Sequence, residues 1–257
     1  MDLSTVLGML LALTSICVGD ILEGGNPLHL IHISSVLIVL PTAFFSTMVS
    51  TNKYFIKGAF RELKIVFGGS KVDFQARVNQ LVEFASIARK DGLLALEPKT
   101  AEIDNHFLKS AVMMMVDGKD IEEIKESMEI QIEHQETYYD ECREFFCRVG
   151  ESCPTFGLVG AVCGLMLALQ LLDDPQAMAM GIAGAFTATV TGIYCCYGVF
   201  VPWGNKIKGN GHDIIMEQQL MMAGVAGIAE GANPRDLEQK LFLFMPHGVE
   251  PKSQFGE

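Results

Sequence analysis

The feature that most constrains the fold is a set of four long stretches that carry no charged side chain. They are residues 3–19, 24–52, 153–172 and 175–205. A helix needs about 20 apolar residues to cross a hydrocarbon core about 30 Å thick, so each stretch can hold one span, the first being marginal. One such stretch would also suit a buried helix of a soluble protein. Four of them, grouped two and two around a charged middle, predict an integral membrane protein.

The composition agrees with this interpretation and excludes several classes of protein. The mean hydropathy of +0.29 is high for a soluble domain, although 19% of the 257 residues are charged. The formal net charge of −12 argues against nucleic acid as a partner. Seven cysteines without C-x-x-C spacing predict reduced thiols rather than a disulfide framework or a metal site.

No motif for catalysis or phosphate binding stands out in the chain. The stretch "FGGSKVD" lacks the spaced glycines of a phosphate-binding loop, and no Ser-His-Asp or Cys-His order is visible. We therefore predict that the chain is not an enzyme and holds no cofactor and no metal.

The positions of lysine and arginine predict the orientation of the spans. Basic residues follow the second stretch, precede the third and follow the fourth, whereas the two short hairpin connections carry only acidic residues. The positive-inside rule therefore places both termini and the middle of the chain in the cytoplasm. The first stretch lacks the basic n-region and the cleavage site of a signal peptide, so we expect it to be retained. The basic residues are Lys53, Lys57, Arg61, Lys64, Arg143, Arg148, Lys206 and Lys208.

The remaining segments predict an all-α fold, with four transmembrane helices and a helical cytoplasmic insertion between the second and third spans. One amphipathic helix should end at Gly92, and another should run from Asp120 into the third span without interruption before Gly150. Asn233 and Pro234 have the residue types of a helix N-cap and first position. The predicted segments are a transmembrane hairpin at 1–52, a cytoplasmic helical domain at 53–150, a second hairpin at 151–205, and cytoplasmic helices with a loose tail beyond Pro246 at 206–257.

Small residues in the third and fourth spans predict unusually close helix packing. Gly160, Gly164 and Ala168 recur every fourth residue in the third span, and the fourth span repeats the pattern in a row that ends at Thr189. Helices associate in lipid through close packing, and small residues allow their backbones to approach. None of the four spans carries a charged residue at mid-membrane depth, where an ion pathway normally has one. If the chain moves ions, a partner must supply the carboxylate.

Four ordered motifs resemble the MotA family of flagellar motor stator subunits, which is part of the MotA/TolQ/ExbB proton channel family. They read "ARKDGLLALEP", "PTFGLVGAVCGL", "AGAFTATVTGIYCCYGVFVP" and "GIAEGANPRDLEQKL". The resemblance covers nearly the whole chain. It implies a homo-oligomeric ring in the bacterial inner membrane, pentameric in the family, around the membrane helices of a MotB subunit. MotB would supply the protonatable aspartate, and the cytoplasmic domain would push the rotor protein FliG.

The resemblance also implies roles for particular residues of the ion pathway. Thr189 matches the threonine that faces the ion-carrying carboxylate, and Thr155 and Phe186 are weaker candidates for the same lining. Ala161 stands where sodium-driven relatives tend to carry a threonine. Since sodium needs oxygen ligands and Ala161 offers none, the predicted coupling ion is the proton.

Two further pairs of residues are carried over from the family pattern. Pro154 and Pro202 match the prolines thought to couple ion passage to movement, and a proline can kink or end a helix. Arg89 and Glu97 match the charged pair that contacts FliG. Two alternatives stay open at this point: an energiser of the ExbB or TolQ type, and a membrane scaffold that conducts nothing.

Overall fold

The computed structural model describes residues 3–30, 32–70 and 72–256, and within these ranges it contains nine α-helices and no strand. Four helices are long and apolar enough to cross a membrane, which confirms the predicted all-α membrane fold. Short 3₁₀ turns cover Pro27–Leu30, Leu93–Leu96 and Pro98–Glu102, and a π-helical turn covers Cys195–Phe200. The helices are α1 (Leu3–Leu22), α2 (Ile33–Ser50), α3 (Lys53–Gly68), α4 (Phe74–Asp91), α5 (His106–Val116), α6 (Ile121–Gln170), α7 (Pro175–Tyr194), α8 (Val201–Ala229) and α9 (Pro234–Phe242).

The helix boundaries follow the capping chemistry of the sequence. Gly92 ends α4 with a φ of 86°, a backbone conformation that glycine adopts without a steric penalty. Asn233 caps α9 by accepting a hydrogen bond from the Arg235 amide at 3.2 Å, with Pro234 in the first turn. Both predicted boundaries are confirmed. The predicted long helix is also confirmed, since α6 runs for 50 residues with Pro154 inside it.

The chain forms two compact units. We call Met1–Gly69 with Tyr138–Asn210 the first unit, and Ser70–Thr137 with Gly211–Glu257 the second unit. The second unit has a continuous apolar core from α4, α5, the start of α6, the end of α8, and α9. Its most deeply buried side chains include Leu81, Leu96, Leu108, Ile124, Met128, Leu220, Met221, Leu237 and Leu241.

The tail of the second unit is held in place, although it contains no helix. The buried Glu238 carboxylate accepts hydrogen bonds from the Ser253 hydroxyl at 2.6 Å and from the Gln254 amide at 2.8 Å. The Gln75 side chain donates a hydrogen bond to the Lys252 carbonyl and accepts one from the Lys252 amide. The expectation of a loose tail is therefore wrong for residues 252–254, because polar groups on α4 and α9 anchor their backbone.

In the first unit, the predicted close contact between α6 and α7 is confirmed. A Cβ atom placed on Gly164 would lie 2.9 Å from the Gly181 carbonyl oxygen, and one on Gly192 would lie 2.6 Å from the Cys153 carbonyl oxygen. Real Cβ atoms do not approach that closely, so only glycine fits at these positions. We call this contact the glycine seam. Its residues are Gly157, Gly160, Gly164 and Ala168 on α6, and Gly181, Ala185, Ala188 and Gly192 on α7.

The predicted row on α7 reaches Thr189, and Ala188 joins it. A Cβ atom on Gly157 would lie 3.4 Å from the Thr189 Cα atom, and a Cβ atom on Gly160 would lie 2.9 Å from the Ala188 Cβ atom. Each four-residue step advances a helical residue by about 400°, so a row of such steps drifts around the helix. This drift brings Ala188 into the seam and leaves Thr189 at its edge, with its Cα atom still against Gly157.

A polar network fixes α3 to α6 in the first unit. The Tyr138 hydroxyl accepts a hydrogen bond from Arg61 at 2.8 Å and donates one to Glu62 at 2.7 Å. Burial, and then the bond to Glu62, raise the pKa of Tyr138, so its hydroxyl stays protonated and remains a donor. Gly58 leaves room for this ring, because a Cβ atom there would lie 2.7 Å from it.

The close packing of the glycine seam predicts that Gly192→Ala destabilises the protein and that Gly8→Ala does not. The new methyl group at residue 192 would meet the α6 backbone, which cannot move aside as a flexible side chain can, at a cost of about 1–3 kcal/mol. A Cβ atom on Gly8 would meet nothing within 4 Å. Thermal unfolding of the detergent-purified protein should show a midpoint several degrees lower for Gly192→Ala alone. Equal midpoints for the two variants would show that the seam is less tightly packed than described.

Candidate functional site

Helix α2 covers one side of the glycine seam. The Ser35 hydroxyl donates a hydrogen bond to the Gly184 carbonyl at 3.3 Å. On α6, a Cβ atom placed on Gly160 would lie 3.6 Å from the Ile38 side chain. Gly160 and Gly184 therefore mark the side of the seam that faces α2.

Ala161 and Thr189 lie on the other side of the seam. Each helical residue turns the chain by about 100°, so Ala161 lies about 100° beyond Gly160, and Thr189 lies about 140° beyond Gly184. Because α6 and α7 are antiparallel, both rotations lead away from α2 to the same side. Both residues are half-buried. The structure thus places the two main predicted pathway residues along one side of a single helix pair.

The Thr189 hydroxyl is held only weakly within its own helix. It lies 3.4 Å from the Ala185 carbonyl oxygen, whereas Thr187 donates to the Ala183 carbonyl at 2.8 Å. Hydroxyl hydrogen bonds are usually about 2.7–2.8 Å long. Thr189 can therefore turn its hydroxyl toward an outside group at little cost, and a hydroxyl can both donate and accept.

The two weaker candidates for the pathway lining lie in different surroundings. Phe186 is 70% exposed and lies about 60° from Thr189 around α7, so it extends the same face. Thr155 is also exposed but lies about 120° from Ala161 around α6. It lines a separate cleft of about 430 Å³ between α2 and α6. The structure does not bring Thr155 together with Ala161 and Thr189, and its assignment stays a prediction.

The two predicted coupling prolines lie in contacts that join α6 to the end of α7 and the start of α8. Pro154 is inside α6, and a Cβ atom on Gly192 would lie 3.1 Å from its Cα atom. One turn earlier in α6, a Cβ atom on Gly150 would lie 3.0 Å from the Val201 side chain, next to Pro202. Within the first unit, α6 therefore contacts Gly192 at Pro154 and Val201 one residue before Pro202.

A π-helical turn directly before Pro202 was missed by the sequence reasoning. The Val201 amide donates to the Cys196 carbonyl, five residues back, and the chain continues as helix through Pro202. A proline in a regular helix collides with the carbonyl four residues earlier, so a wider turn at this point makes room for it. Single π-helical turns often occur at functional sites. The one available sequence signal was a proline within an otherwise helical segment.

Arg89 and Glu97 occupy an exposed corner of the second unit. Arg89 is in the last turn of α4, and Glu97 directly follows the Leu93–Leu96 turn. Both are exposed, and within the described ranges neither makes an ion pair or a side-chain hydrogen bond. The neighbouring Lys99 does pair, and its hydrogen bond to Glu102 at 3.0 Å raises the pKa of its ammonium group. The two predicted contact charges are therefore available to an outside partner.

Among residues 3–30, 32–70 and 72–256, no group of three or more His, Cys, Asp or Glu side chains is arranged to hold a metal ion. All seven cysteines are free thiols. The candidate site residues are the half-buried Ala161 and Thr189, the two proline segments of the first unit, and the exposed charged corner of the second unit.

Because Arg89 lies in an exposed corner, we predict that Arg89→Glu leaves the fold intact. We predict that Arg77→Ala, in contrast, destabilises the protein. Arg89 has no partner to lose in the described structure, and such surface changes usually alter the free energy of unfolding by less than about 0.5 kcal/mol. Arg77 donates to the nearly buried Glu217 at 2.8 Å, so its removal leaves that carboxylate unpaired at a cost of roughly 3 kcal/mol. Thermal unfolding of the full-length protein should separate the two variants. A large loss of stability in Arg89→Glu would show that Arg89 is structural.

Comparisons with known proteins agree with this arrangement of helices. Residues 99–220 match the MotA/TolQ/ExbB proton channel family. Motility protein A of Helicobacter pylori is 52% identical over 255 residues, covering 99% of both chains. The C. jejuni MotAB structure matches with a TM-score of 0.96 and 64% identity, over 99% of this chain and 100% of that one. The flagellar MotAB stator complex from Bacillus subtilis matches with a TM-score of 0.87 and 30% identity, over 94% and 95%. The chain therefore belongs to the MotA/TolQ/ExbB proton channel family, as a motility protein A stator subunit of the flagellar motor.

Proposed function

We propose that this stator subunit couples proton flow across the bacterial inner membrane to rotation, together with a MotB-like subunit that supplies a membrane aspartate. One observation carries the proposal: Thr189 and Ala161 both lie along the side of the glycine seam that α2 leaves uncovered. A hydroxyl is present there, and the four predicted spans contain no carboxylate at mid-membrane depth. A partner that places a carboxylate opposite Thr189 would complete the pathway.

A MotB-like partner and an oligomeric assembly are supported by the similar structures. The C. jejuni and Bacillus subtilis structures are both MotAB structures, and the second is a stator complex. In a cyclic ring, each subunit presents the same face to the central axis. With five copies, as the family resemblance implies, the Thr189 face of every subunit surrounds the MotB helices. Each carboxylate then meets a series of equivalent hydroxyl groups as the ring turns.

The chemistry of the uncovered side favours protons over sodium. Sodium must exchange its hydration oxygens for ligand oxygens of the site. Thr189 offers one side-chain oxygen per subunit, and Ala161 offers none. A proton needs only a carboxylate to carry it and a neighbour that forms hydrogen bonds. The weak internal bond of Thr189 leaves that hydroxyl able to serve as the neighbour.

The prolines are proposed to convert this ion step into movement of helices. Pro154 lacks the amide hydrogen that would bond the Gly150 carbonyl, and a helix can bend at such a point. Pro202 follows the π-helical turn, whose hydrogen-bond register differs from that of the helix on either side. Both positions flank the end of the glycine seam, where a change beside Thr189 can alter the local packing of α6 and α7.

The charged corner is proposed to act on the rotor protein FliG from the cytoplasm. The basic residues beside the spans favour cytoplasmic termini and a cytoplasmic location for residues 53–150. Arg89 and Glu97 present opposite charges that have no partners in the described structure. Complementary charges at an interface speed association and fix its orientation.

The coupling ion is tested by the swimming speed of cells whose only stator contains this chain. At fixed external pH and membrane potential, we expect speed to stay unchanged as sodium replaces potassium at constant ionic strength. We also expect speed to fall to near zero when a protonophore collapses the proton gradient. A speed that rises and saturates with sodium concentration would show that sodium is the coupling ion.

A further inference from the structure

One leucine of the second unit is exposed between the two unpaired charges. Leu94 is 70% exposed, although it belongs to the same short turn as Leu96, which is fully buried. Leu93, on its other side, packs against the core of the second unit. A 3₁₀ turn has three residues per turn, so Leu93 and Leu96 point the same way and Leu94 points elsewhere. The burial of its two neighbours therefore directs Leu94 outward.

Backbone hydrogen bonds hold this turn in one conformation. The Ala95 amide donates to the Gly92 carbonyl at 3.1 Å, and the Glu97 amide donates to the Leu94 carbonyl at 3.1 Å. The Thr100 hydroxyl then donates to the Glu97 carbonyl at 2.7 Å. Gly92 enters the turn with a φ of 86°. Since the backbone around Leu94 is already ordered, a partner would lose little conformational entropy on binding it.

A single exposed leucine is common on protein surfaces, so exposure alone carries no argument. The exposed charged residues on either side of Leu94 in the chain are what distinguish it. The charged side chains of Arg89, Lys90 and Asp91 precede it, Glu97 follows it, and all four are exposed. An apolar centre with a charged rim is the usual composition of a protein–protein contact. Residues at such a centre carry most of the binding energy, and the rim excludes water.

We propose that Leu94 is the apolar anchor of the rotor contact, with Arg89 and Glu97 as its charged rim. The proposal rests on the proposed function of this corner and adds to it the residue that sets the lifetime of the contact. The complementary surface should have an apolar pocket for one leucine side chain. It should also carry an acidic group opposite Arg89 and a basic group opposite Glu97. The rim charges then guide association, and burial of Leu94 slows dissociation.

The test measures binding of the purified stator complex, in detergent, to immobilised FliG from the same bacterium at several salt concentrations. Leu94→Ala should raise the dissociation rate about tenfold, because it removes most of the buried apolar side chain, and should leave the salt dependence unchanged. Leu94→Met should restore most of the lifetime. Leu243→Ala is the matched control, since Leu243 is 84% exposed in the same unit.

Arg89→Glu separates this proposal from the proposed function. It should slow association and weaken its salt dependence. If Arg89→Glu changes neither binding nor torque, the rotor contact itself is wrongly placed. If Arg89→Glu acts as expected but Leu94→Ala dissociates at the parent rate, only the anchor is wrong. An equal effect of Leu243→Ala and Leu94→Ala would also overturn the anchor, because it would show no preference for this position.

Discussion

The close approach of α6 and α7 is the interaction on which the rest of the first unit depends. Lipid gives no hydrophobic driving force for helices to associate, so they must gain their stability from packing. Glycine allows this close packing at Gly164 and Gly192, where a side chain would meet the backbone of the opposite helix. The seam fixes the rotation of both helices about their axes. It therefore decides which residues face α2 and which remain available to a partner.

The same constraint explains how a chain without a carboxylate at mid-membrane depth can belong to a flagellar motor stator. Because small residues occupy the seam and α2 covers one side, Ala161 and Thr189 lie together on the other. The two prolines flank the end of this packed region, where α6 contacts Gly192 and Val201. In the second unit, a separate apolar core orders the turn that exposes Leu94 between Arg89 and Glu97. Each unit thus presents its proposed functional side chains from segments that pack against a core or against a neighbouring helix.

Much of this arrangement can be predicted from the sequence, because it depends on local patterns. The spans follow from charge-free length, the ends of α4 and α9 from Gly92 and Asn233, and the seam from the spacing of glycines. The π-helical turn could not be predicted, since Pro202 indicates only that the regular helix is disturbed and not the form of the turn before it. The position of Thr155 away from Ala161, and the anchoring of the tail by Glu238, depend on tertiary contacts that a sequence pattern does not contain.

The most direct test of the central claim is the proton flux through the active stator complex reconstituted in vesicles under a fixed proton gradient. The account predicts that Thr189→Val lowers the flux about tenfold, as expected from the loss of one hydrogen bond to the proton-carrying group. Thr189→Ser, which keeps the hydroxyl, should retain it. Thr187→Val is the matched control. Thr187 donates a hydrogen bond to the Ala183 carbonyl in its own helix, and it lies on a different side of α7 from Thr189. Equal flux through Thr189→Val and the parent complex would contradict the account.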